Sequence, residues 1–356
     1  MTTAQISEQA VTIQEQAPRL LAHVAGYVGH RTVALGLRLG LITALAEAAA
    51  PVTSDQLAEQ LDLDPFYVAV WCRGALAAGL CELVEGASGV PVDMEGAYRL
   101  APHMGSLLLD ITHPAYLGGL FTVMEQHEVF DRFEASLPSG KRLWWDGCSP
   151  EWIAGVACTG TPFYTRLAPA GLDKIPGLPE RLDVGCRVLD TACGSGAGVA
   201  HLAQVYPACE IVGIDGDRHS LGKAGERLTG AGVAERCSLV HSPLEELTLE
   251  APATCVINNL SMHECRDIDR ATASIRGVLE PGGWFVISDF PFPDTVEGLR
   301  SVPGRVMTGI QYFEAQIDDQ LLSRAAYDDL LVRHGFTDLG HFELSPVHAV
   351  TYGRAG

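Results

Sequence analysis

The sequence predicts an α/β protein in which a doubly wound parallel sheet follows a mainly α-helical, winged-helix-like domain. From about Asp183 onward, short apolar runs alternate with segments of helical periodicity, which is the pattern of βα units around a parallel sheet. Before that point helical periodicity dominates, and only two short strand-like runs are present. With 356 residues, the chain is long enough for two domains with separate hydrophobic cores.

The predicted sheet is built from apolar runs separated by helical segments. Strands are expected at 186–190, 210–215, 237–241, 253–260 and 284–290. Helices are expected between them at 198–206, 218–231 and 266–279. A β-rich run over 342–352 is expected to add one more strand near the end of the chain.

The first part of the chain predicts three helices followed by two short strands, 81–84 and 97–100, around a turn that contains Gly and Pro. Helix–helix–helix–hairpin is the pattern of a winged helix, which commonly binds DNA. The second helix of the pair is apolar and carries one basic residue, Arg73, so it lacks the basic face of a DNA-reading helix. We therefore predict an interaction or dimerisation element.

Composition and charge narrow the range of partners. The formal net charge of −20 repels phosphate backbones and anionic membrane surfaces, which argues against nucleic acid and membrane partners. Apolar segments stay shorter than the roughly 20 residues that span a bilayer, and the N-terminal residues are too polar for a signal peptide. The ten cysteines include no C-x-x-C pair and predict reduced thiols in a cytoplasmic protein.

The most informative segment is the glycine-rich turn of residues 188–198, which reads as strand, tight turn and helix start. A dinucleotide site needs a third glycine at the position that Val199 occupies, so that fingerprint fails. Asp190 instead stands at the end of the strand, four positions before Gly194. A carboxylate there suits a ligand with a cationic group better than a pyrophosphate.

The second strand ends in another carboxylate, Asp215, which lies 25 residues after Asp190. Such a residue is able to accept both ribose hydroxyls of an adenosine. The alternative is that Asp215 only caps the following helix. Together, the two acidic strand ends predict a nucleoside ligand that carries positive charge.

The combination V-L-D-x-A-C-G-S-G, V-G-I-D and L-E-P-G-G-W resembles the class I S-adenosylmethionine-dependent methyltransferases. With the N-terminal module, roughly residues 30–355 resemble the small-molecule O-methyltransferase family of plant phenolic and bacterial natural-product enzymes. One departure is Ala192, where the family has its first glycine. The usual Gly-Asp pair is also absent from 241–244, where the family contacts adenine.

The resemblance implies S-adenosylmethionine as cofactor, a homodimer and four segments. These are a flexible N-terminus (1–18), a winged-helix-like dimerisation domain (19–115), a helical connector that contributes to the acceptor pocket (116–180) and a cofactor-binding catalytic domain (181–356). The residues expected to bind the cofactor are Asp190, Ala192, Gly194, Gly196, Asp215, Ser242, Asn258 and Asn259.

The expected catalytic pair is His263–Glu264, just past the end of the fourth strand, where ligands bind in open α/β sheets. The family places a histidine followed by an acid here as general base. A histidine with a pKa of roughly 6.5 takes a hydroxyl proton at neutral pH, and a nearby carboxylate fixes its tautomer. The alternative is that His263 only begins a helix.

The acceptor pocket is expected to use Trp145, Phe163, Met307 and Tyr312, although each also suits an ordinary core position. The expected reaction is methyl transfer to an oxygen of a small apolar or aromatic metabolite, without a metal. Three alternatives stay open. They are a C-methyltransferase, with or without a metal ion held by His263 and either another histidine or Asp289, a non-methylating enzyme that uses the same cofactor, and a DNA-binding ligand sensor.

Overall fold

The computed structural model describes residues 11–84 and 96–356. The chain divides into two compact units, one formed by the chain up to Asp110 with 116–121, the other by 111–115 with 122–356. The four-segment division remains a prediction. The structure places residues 122–180 in the same unit as the large sheet.

The first unit combines helices with a small antiparallel sheet. Its elements are α1 (Ile13–Arg38), α2 (Leu41–Glu47), β1 (Val52–Thr53), α3 (Ser54–Leu61), α4 (Pro65–Ala77), β2 (Cys81–Val84), β3 (Ala97–Leu100) and α5 (Met104–Leu108). The strands lie in the order β1-β3-β2, and Cys81 pairs with Leu100. The two predicted strands are therefore paired as expected, while most of the turn between them lies outside the described residues.

The first helix begins earlier than the sequence predicts. Thr12 caps α1, since its hydroxyl accepts from the backbone N–H of Glu15 while the Glu15 carboxylate accepts from the backbone N–H of Thr12. Residues 13–18, predicted as part of a flexible N-terminus, are thus helical. Pro18 falls within the helix, which continues through it. Residues 1–10 of that segment lie outside the described part.

The second unit is reached through α6 (Gly118–Met124), which spans the point where the chain passes from one unit to the other. Its further helices are α7 (His127–Ser136), α8 (Pro150–Leu167), α9 (Leu178–Val184), α10 (Ala197–Val205), α11 (Arg218–Gly230), α12 (Ile268–Val278), α13 (Val296–Arg300), α14 (Val302–Glu314) and α15 (Arg324–Arg333). Its strands are β4 (Arg187–Thr191), β5 (Glu210–Asp215), β6 (Cys237–His241), β7 (Ala253–Asn259), β8 (Leu279–Asp289), β9 (Phe336–Ser345) and β10 (His348–Ala355).

The seven strands form one sheet in the order β6-β5-β4-β7-β8-β10-β9. Neighbours from β6 to β8 are parallel, and β10 is antiparallel to both β8 and β9. The strand order reverses direction beside β4, which makes the carboxyl ends of β4, β5 and β7 the expected ligand site. The predicted doubly wound sheet is confirmed, and the expected tail strand is a pair of strands.

Two apolar layers cover the sheet. Val188 packs in one layer with Leu202 of α10, and its neighbour Leu189 packs in the other with Ile275 of α12. This alternation follows from the two-residue period of a strand. Among the described residues, no helix is both long and apolar enough to cross a membrane.

Candidate active site

The loop after β4 turns sharply because three of its residues adopt left-handed backbone angles. They are Ala192 (φ 55°), Gly194 (φ 52°) and Gly196 (φ 76°). Glycine tolerates this region freely, whereas an L-residue there is strained by about 1–2 kcal/mol. Ala192 therefore carries strain at the position where the family has glycine. A Cβ on Gly194 would meet no atom within 4 Å, so this residue leaves open space beside the loop.

Asp215 holds the glycine loop from the neighbouring strand. Its Oδ2 accepts from the backbone N–H of Gly194 at 2.8 Å, and its Oδ1 accepts from that of Asp217 at 2.8 Å. Burial raises the pKa of Asp215, and these two hydrogen bonds oppose the rise. The helix cap predicted as an alternative belongs to Asp217, whose carboxylate accepts from the first turn of α11. Asp215 is therefore available as a ligand-facing carboxylate.

A cavity of about 660 Å³ opens above these strand ends. Its polar side is formed by the glycine loop, the end of β5 and the segment after β6. Its apolar side includes Trp144, Trp145, Ile153, Val156 and Leu260. Four lining residues are acidic (Asp215, Asp217, Glu245 and Glu264), and Arg266 lies over the Trp144 ring. The volume suits a cofactor-sized ligand, and the acidic lining favours a cationic one.

Four of the predicted cofactor residues line this cavity: Ala192, Gly194, Asp215 and Asn259. Gly196 has a different role, because a Cβ there would lie 2.8 Å from the Cβ of Ala224 in α11. Its glycine permits close packing of α11 against the loop, and its contact with a cofactor stays a prediction.

The Asp190 carboxylate, predicted to face the ligand, is buried against Tyr164, and its contact with a cofactor stays a prediction. Asp190 is 0% exposed and does not line the cavity. The Tyr164 hydroxyl donates to its Oδ1 at 2.7 Å, and a Cβ on Gly198 would overlap the Tyr164 ring. Burial raises the pKa of Asp190 to about 7. This hydrogen bond joins the end of β4 to α8, the helix that carries Tyr164.

Ser242 and Asn258 are also not among the residues lining the cavity. The Ser242 hydroxyl donates to the Pro243 carbonyl at 2.9 Å, while Pro243 and Leu244 lie against the cavity in its place. Asn258 is buried, and its amide donates to the Thr191 hydroxyl at 3.2 Å, so it ties β7 to β4.

One of the four predicted acceptor-pocket residues, Trp145, lines the cavity. Phe163 and Met307 pack with Phe290 in a separate apolar cluster and are 5% and 2% exposed. Tyr312 is 38% exposed, and its ring packs against the rings of Phe130 and Phe133. Helical periodicity identified these residues as apolar but did not distinguish the core from the pocket.

His263 sits just past β7 in a cluster of buried polar side chains. Its Nδ1 lies 2.7 Å from Asp289 Oδ2, and its Nε2 lies 3.7 Å from Glu314 Oε2. The Tyr327 hydroxyl donates to the same oxygen of Asp289, and the other oxygen accepts from the backbone N–H of Phe290. The His263 and Asp289 side chains are 1% and 5% exposed. The contact with Asp289 fixes the orientation of the imidazole ring. The other ring nitrogen, Nε2, has no hydrogen-bond partner.

Charge makes this histidine strongly basic. Burial alone lowers the pKa of His263, but the carboxylates of Asp289 and Glu314 reverse this and hold it well above 6.5. Burial also raises the pKa of Glu264, with Glu314 adding to the effect, and raises that of Asp319 to about 7. The raised pKa values of Glu264 and Asp319 favour the neutral forms of these carboxyl groups, so fewer negative charges surround the imidazole than the number of acidic residues suggests.

Glu264 lines the cavity but does not fix the histidine tautomer. That role, expected for the adjacent acid, belongs to Asp289 at the end of β8. Asp289 was visible in the sequence as a strand-end acid, whereas no local pattern marked Glu314, Tyr327 or Tyr164. In the described part of the chain, His263, Glu264 and Glu314 each offer a ligand atom within 4.8 Å of the others, so they are also a candidate metal-binding group.

Comparison with known proteins agrees with this geometry. Residues 188–283 match the family model described as a methyltransferase domain. This segment is a methyltransferase domain. The match spans β4 to the start of β8, including the glycine loop and His263. The class predicted from the sequence, an S-adenosylmethionine-dependent methyltransferase, is therefore confirmed for this domain.

Solved structures with the same fold extend over nearly the whole chain. An O-methyltransferase-like protein from Nostoc punctiforme aligns with a TM-score of 0.71 and 18% identity, covering 95% of this chain and 98% of the other. Human N-acetylserotonin methyltransferase, solved with S-adenosylmethionine, aligns with a TM-score of 0.69 and 17% identity, covering 97% and 99%. At sequence identities of 17–18%, the similarity to these two structures establishes the fold of both units and nothing further.

A curated relative of the methyltransferase domain is the malonyl-[acyl-carrier protein] O-methyltransferase of Nitrosospira multiformis. It is 31% identical over 167 residues, which cover 42% of this chain and 51% of the relative. The chain thus spans about half the length of that enzyme.

Proposed function

We propose that this protein transfers a methyl group from S-adenosylmethionine to an oxygen of a small apolar or aromatic metabolite, with His263 as general base. The observation that carries the proposal is the buried His263–Asp289 pair. His263 itself is not among the residues that line the cavity, but its chain neighbours Ser261 and Glu264 line it together with the glycine loop of the methyltransferase domain. Apolar side chains on one wall and carboxylates on the other suit an apolar acceptor beside a cationic cofactor.

The residues present fit this cofactor. Gly194 leaves room for close approach to the loop, and Asp215 presents a carboxylate toward ribose hydroxyls. Pro243 and Leu244 offer an apolar surface where the family contacts adenine. When bound, S-adenosylmethionine supplies an electrophilic methyl group on a positively charged sulfur. The acidic lining favours that charge over a neutral ligand.

The chain's own residues then prepare the acceptor. Trp145 and Leu260 provide apolar surface that excludes water from the acceptor side. His263 Nε2 takes the hydroxyl proton, and Asp289 stabilises the resulting imidazolium through Nδ1. Holding both reactants in line supplies much of the remaining rate enhancement.

The experiment is incubation of the purified protein with S-adenosylmethionine and a panel of phenolic acceptors, with S-adenosylhomocysteine as the product measured. We expect one or more acceptors to give stoichiometric S-adenosylhomocysteine and a methylated product. His263→Ala should lower the rate by about 10²–10⁴-fold, whereas His334→Gln, on the surface beside Asp269, should retain it. Acceptor consumption without S-adenosylhomocysteine would instead support a non-methylating reaction.

A second candidate is metal-assisted C-methylation. It is favoured by the three potential ligand atoms of His263, Glu264 and Glu314 and by Asp289, which orients the far side of the imidazole as carboxylates do for metal-bound histidines. Metal content after dialysis against Mn²⁺, Zn²⁺ or Fe²⁺ distinguishes the two candidates. Stoichiometric metal that Glu314→Gln abolishes would favour C-methylation.

We further propose a cytoplasmic homodimer in which the N-terminal unit is the winged-helix-like dimerisation element. Leu20, Leu21, Val24, Tyr27 and Val28 of α1 lie on one stripe and are 56–67% exposed. Such a stripe is typical of an interface. The nine described cysteines are free, as expected in a reducing compartment. Analytical ultracentrifugation should give a dimer that Leu21→Glu with Val24→Glu dissociates; a wild-type monomer would contradict the proposal.

A further inference from the structure

A chain of four polar side chains ends at the cavity. Arg166 Nε donates to His348 Nδ1 at 3.0 Å, and His348 Nε2 lies 2.8 Å from Ser288 Oγ. Ser288 Oγ is 2.7 Å from Asn259 Oδ1. Ser288 and His348 are 0% exposed and Asn259 is 5% exposed. Asn259 is the member of this chain that lines the cavity.

The protonation of Arg166 sets the direction of every hydrogen bond in this chain. A guanidinium only donates, so His348 Nδ1 must accept and its ring proton must lie on Nε2. His348 Nε2–H then donates to Ser288 Oγ, whose single proton is left for Asn259. That proton needs an acceptor, so the amide oxygen of Asn259 faces Ser288. Burial and Arg166 together hold the pKa of His348 well below 6.5, which keeps the ring neutral.

The orientation leaves the Asn259 amide nitrogen for the cavity. We propose that the Asn259 N–H₂ group binds the carboxylate of the methionine part of the cofactor, with Ser288, His348 and Arg166 as positioning residues. This inference rests on the proposed function, because it takes S-adenosylmethionine as the ligand.

The position of Asn259 fits the amino-acid end of that ligand. Thr191 pairs with Ile214 on one side and with Asn258 on the other, so Asp215 and Asn259 lie at the same level of the sheet. They are separated by two strand intervals, or roughly 10 Å. With the ribose at Asp215, an extended amino-acid chain that crosses the glycine loop ends near Asn259.

Charge favours a neutral donor at this place. Asp215, Asp217 and Glu245 make the cavity lining acidic, which suits the sulfonium and the amino group but repels the carboxylate of the same ligand. An amide N–H₂ compensates for this repulsion without adding a charge that would compete with the cationic groups. Only the fixed amide orientation does so, because the flipped amide would present an oxygen.

The test compares two probes by calorimetry on the full chain. S-adenosylhomocysteine carries the carboxylate, and 5′-methylthioadenosine retains the adenosine and the sulfur without it. Asn259→Asp keeps an oxygen for Ser288 and replaces the cavity-facing N–H₂ by a second oxygen. We expect this variant to lose about 10- to 100-fold in affinity for S-adenosylhomocysteine and to bind 5′-methylthioadenosine as the wild type does.

The positioning residues are tested by the same ratio of affinities. Ser288→Ala removes the hydroxyl that fixes the amide, and it should lower the S-adenosylhomocysteine affinity by about 3- to 10-fold without changing that of 5′-methylthioadenosine. Thr351→Val is the matched control. Like Ser288, Thr351 is buried and its hydroxyl contacts a histidine, His341, but it lies on β10 and is not part of the chain of hydrogen bonds that ends at Asn259. This variant should leave both affinities unchanged.

The outcomes separate this inference from the function on which it rests. A wild-type protein that binds neither probe would overturn the proposed cofactor. A wild type that binds both, with Asn259→Asp unchanged for S-adenosylhomocysteine, would overturn the role of Asn259 alone. Equal losses for both probes would also overturn it, because they would indicate a general structural defect.

Discussion

His263 Nδ1 lies 2.7 Å from Asp289 Oδ2, and the two residues are 26 positions apart in the sequence. Asp289 is itself held by Tyr327 and by the backbone of Phe290, so the carboxylate that orients the imidazole is fixed from two further sides. The neighbouring residue Ser288 contacts Asn259. The end of β8 thus orients two separate groups, which follows from the alternation of side chains along a strand.

The first prediction concerns the pH dependence of methyl transfer. A general base acts in its unprotonated form, and the pKa of His263 is raised above 6.5. The rate should therefore rise with pH along a limb that lies above pH 6.5. Asp289→Asn removes a charge that raises this pKa, so the limb should move to lower pH while the maximal kcat falls by at least about tenfold. A kcat profile that is flat between pH 6 and 9 would exclude His263 as the base.

The second prediction concerns Asp215. The two oxygens of Asp215 accept from the backbone N–H groups of Gly194 and Asp217. Asp215→Asn replaces one of these acceptors by an NH₂ group and removes the negative charge at the cavity. We expect the affinity for S-adenosylhomocysteine, measured by calorimetry, to fall by about 10- to 100-fold. Glu210→Gln, at the exposed opposite end of the same strand, is the control and should bind normally. Unchanged affinity in Asp215→Asn would refute the ribose role.

The third prediction concerns the strain at Ala192. A φ of 55° at Ala192 costs about 1–2 kcal/mol because alanine carries a Cβ. Glycine avoids this strain but loses more conformational entropy on folding, so the substitution recovers only part of the cost. Ala192→Gly should therefore raise the free energy of unfolding by about 0.5–1 kcal/mol. Ala203→Gly, within α10 and fully buried, should have the opposite sign. Urea denaturation measures both, and a loss of stability in Ala192→Gly would contradict this account.

The fourth prediction concerns Asp190, whose pKa is about 7 in the folded protein and 3.8 as its ordinary value. A raised pKa means that its contribution to stability is present below pH 3.8 and is lost as the pH rises through about 7. Asp190→Asn retains an oxygen for Tyr164 without this loss. At pH 8 it should be more stable than the wild type by about 1–3 kcal/mol, and the gain should shrink at pH 5.

Denaturant titrations at the two pH values measure this difference. Asp183→Asn, an exposed aspartate in α9, is the control and should stay within about 0.5 kcal/mol of the wild type at both. An equal effect of Asp190→Asn at pH 5 and pH 8 would show that the buried carboxyl does not titrate in this range.

The sequence by itself determined the large sheet, the glycine loop and the position of His263 at a strand end. These features depend on local patterns, since hydrophobic periodicity and loop spacing are read within about 20 residues. The strand 237–241 and the helix after Asp217 were therefore predicted to within one residue. The same locality explains why the contact between Asp190 and Tyr164 was not predicted, because a strand-end carboxylate has the same local sequence whether or not a distant tyrosine donates to it.

Only the tertiary structure decided which side chains meet. Ser288 and His348 are 60 positions apart, and Arg166 and His348 are 182 apart, so no spacing rule joins them. The partners of His263, the burial of Phe163 and Met307 and the orientation of Asn259 arise in the same way, from the packing of distant elements against one sheet edge. The sequence determined which residues stand at the strand ends because strand ends are locally encoded. The fold decided which of them line the cavity because burial and hydrogen-bond direction depend on the whole packed unit.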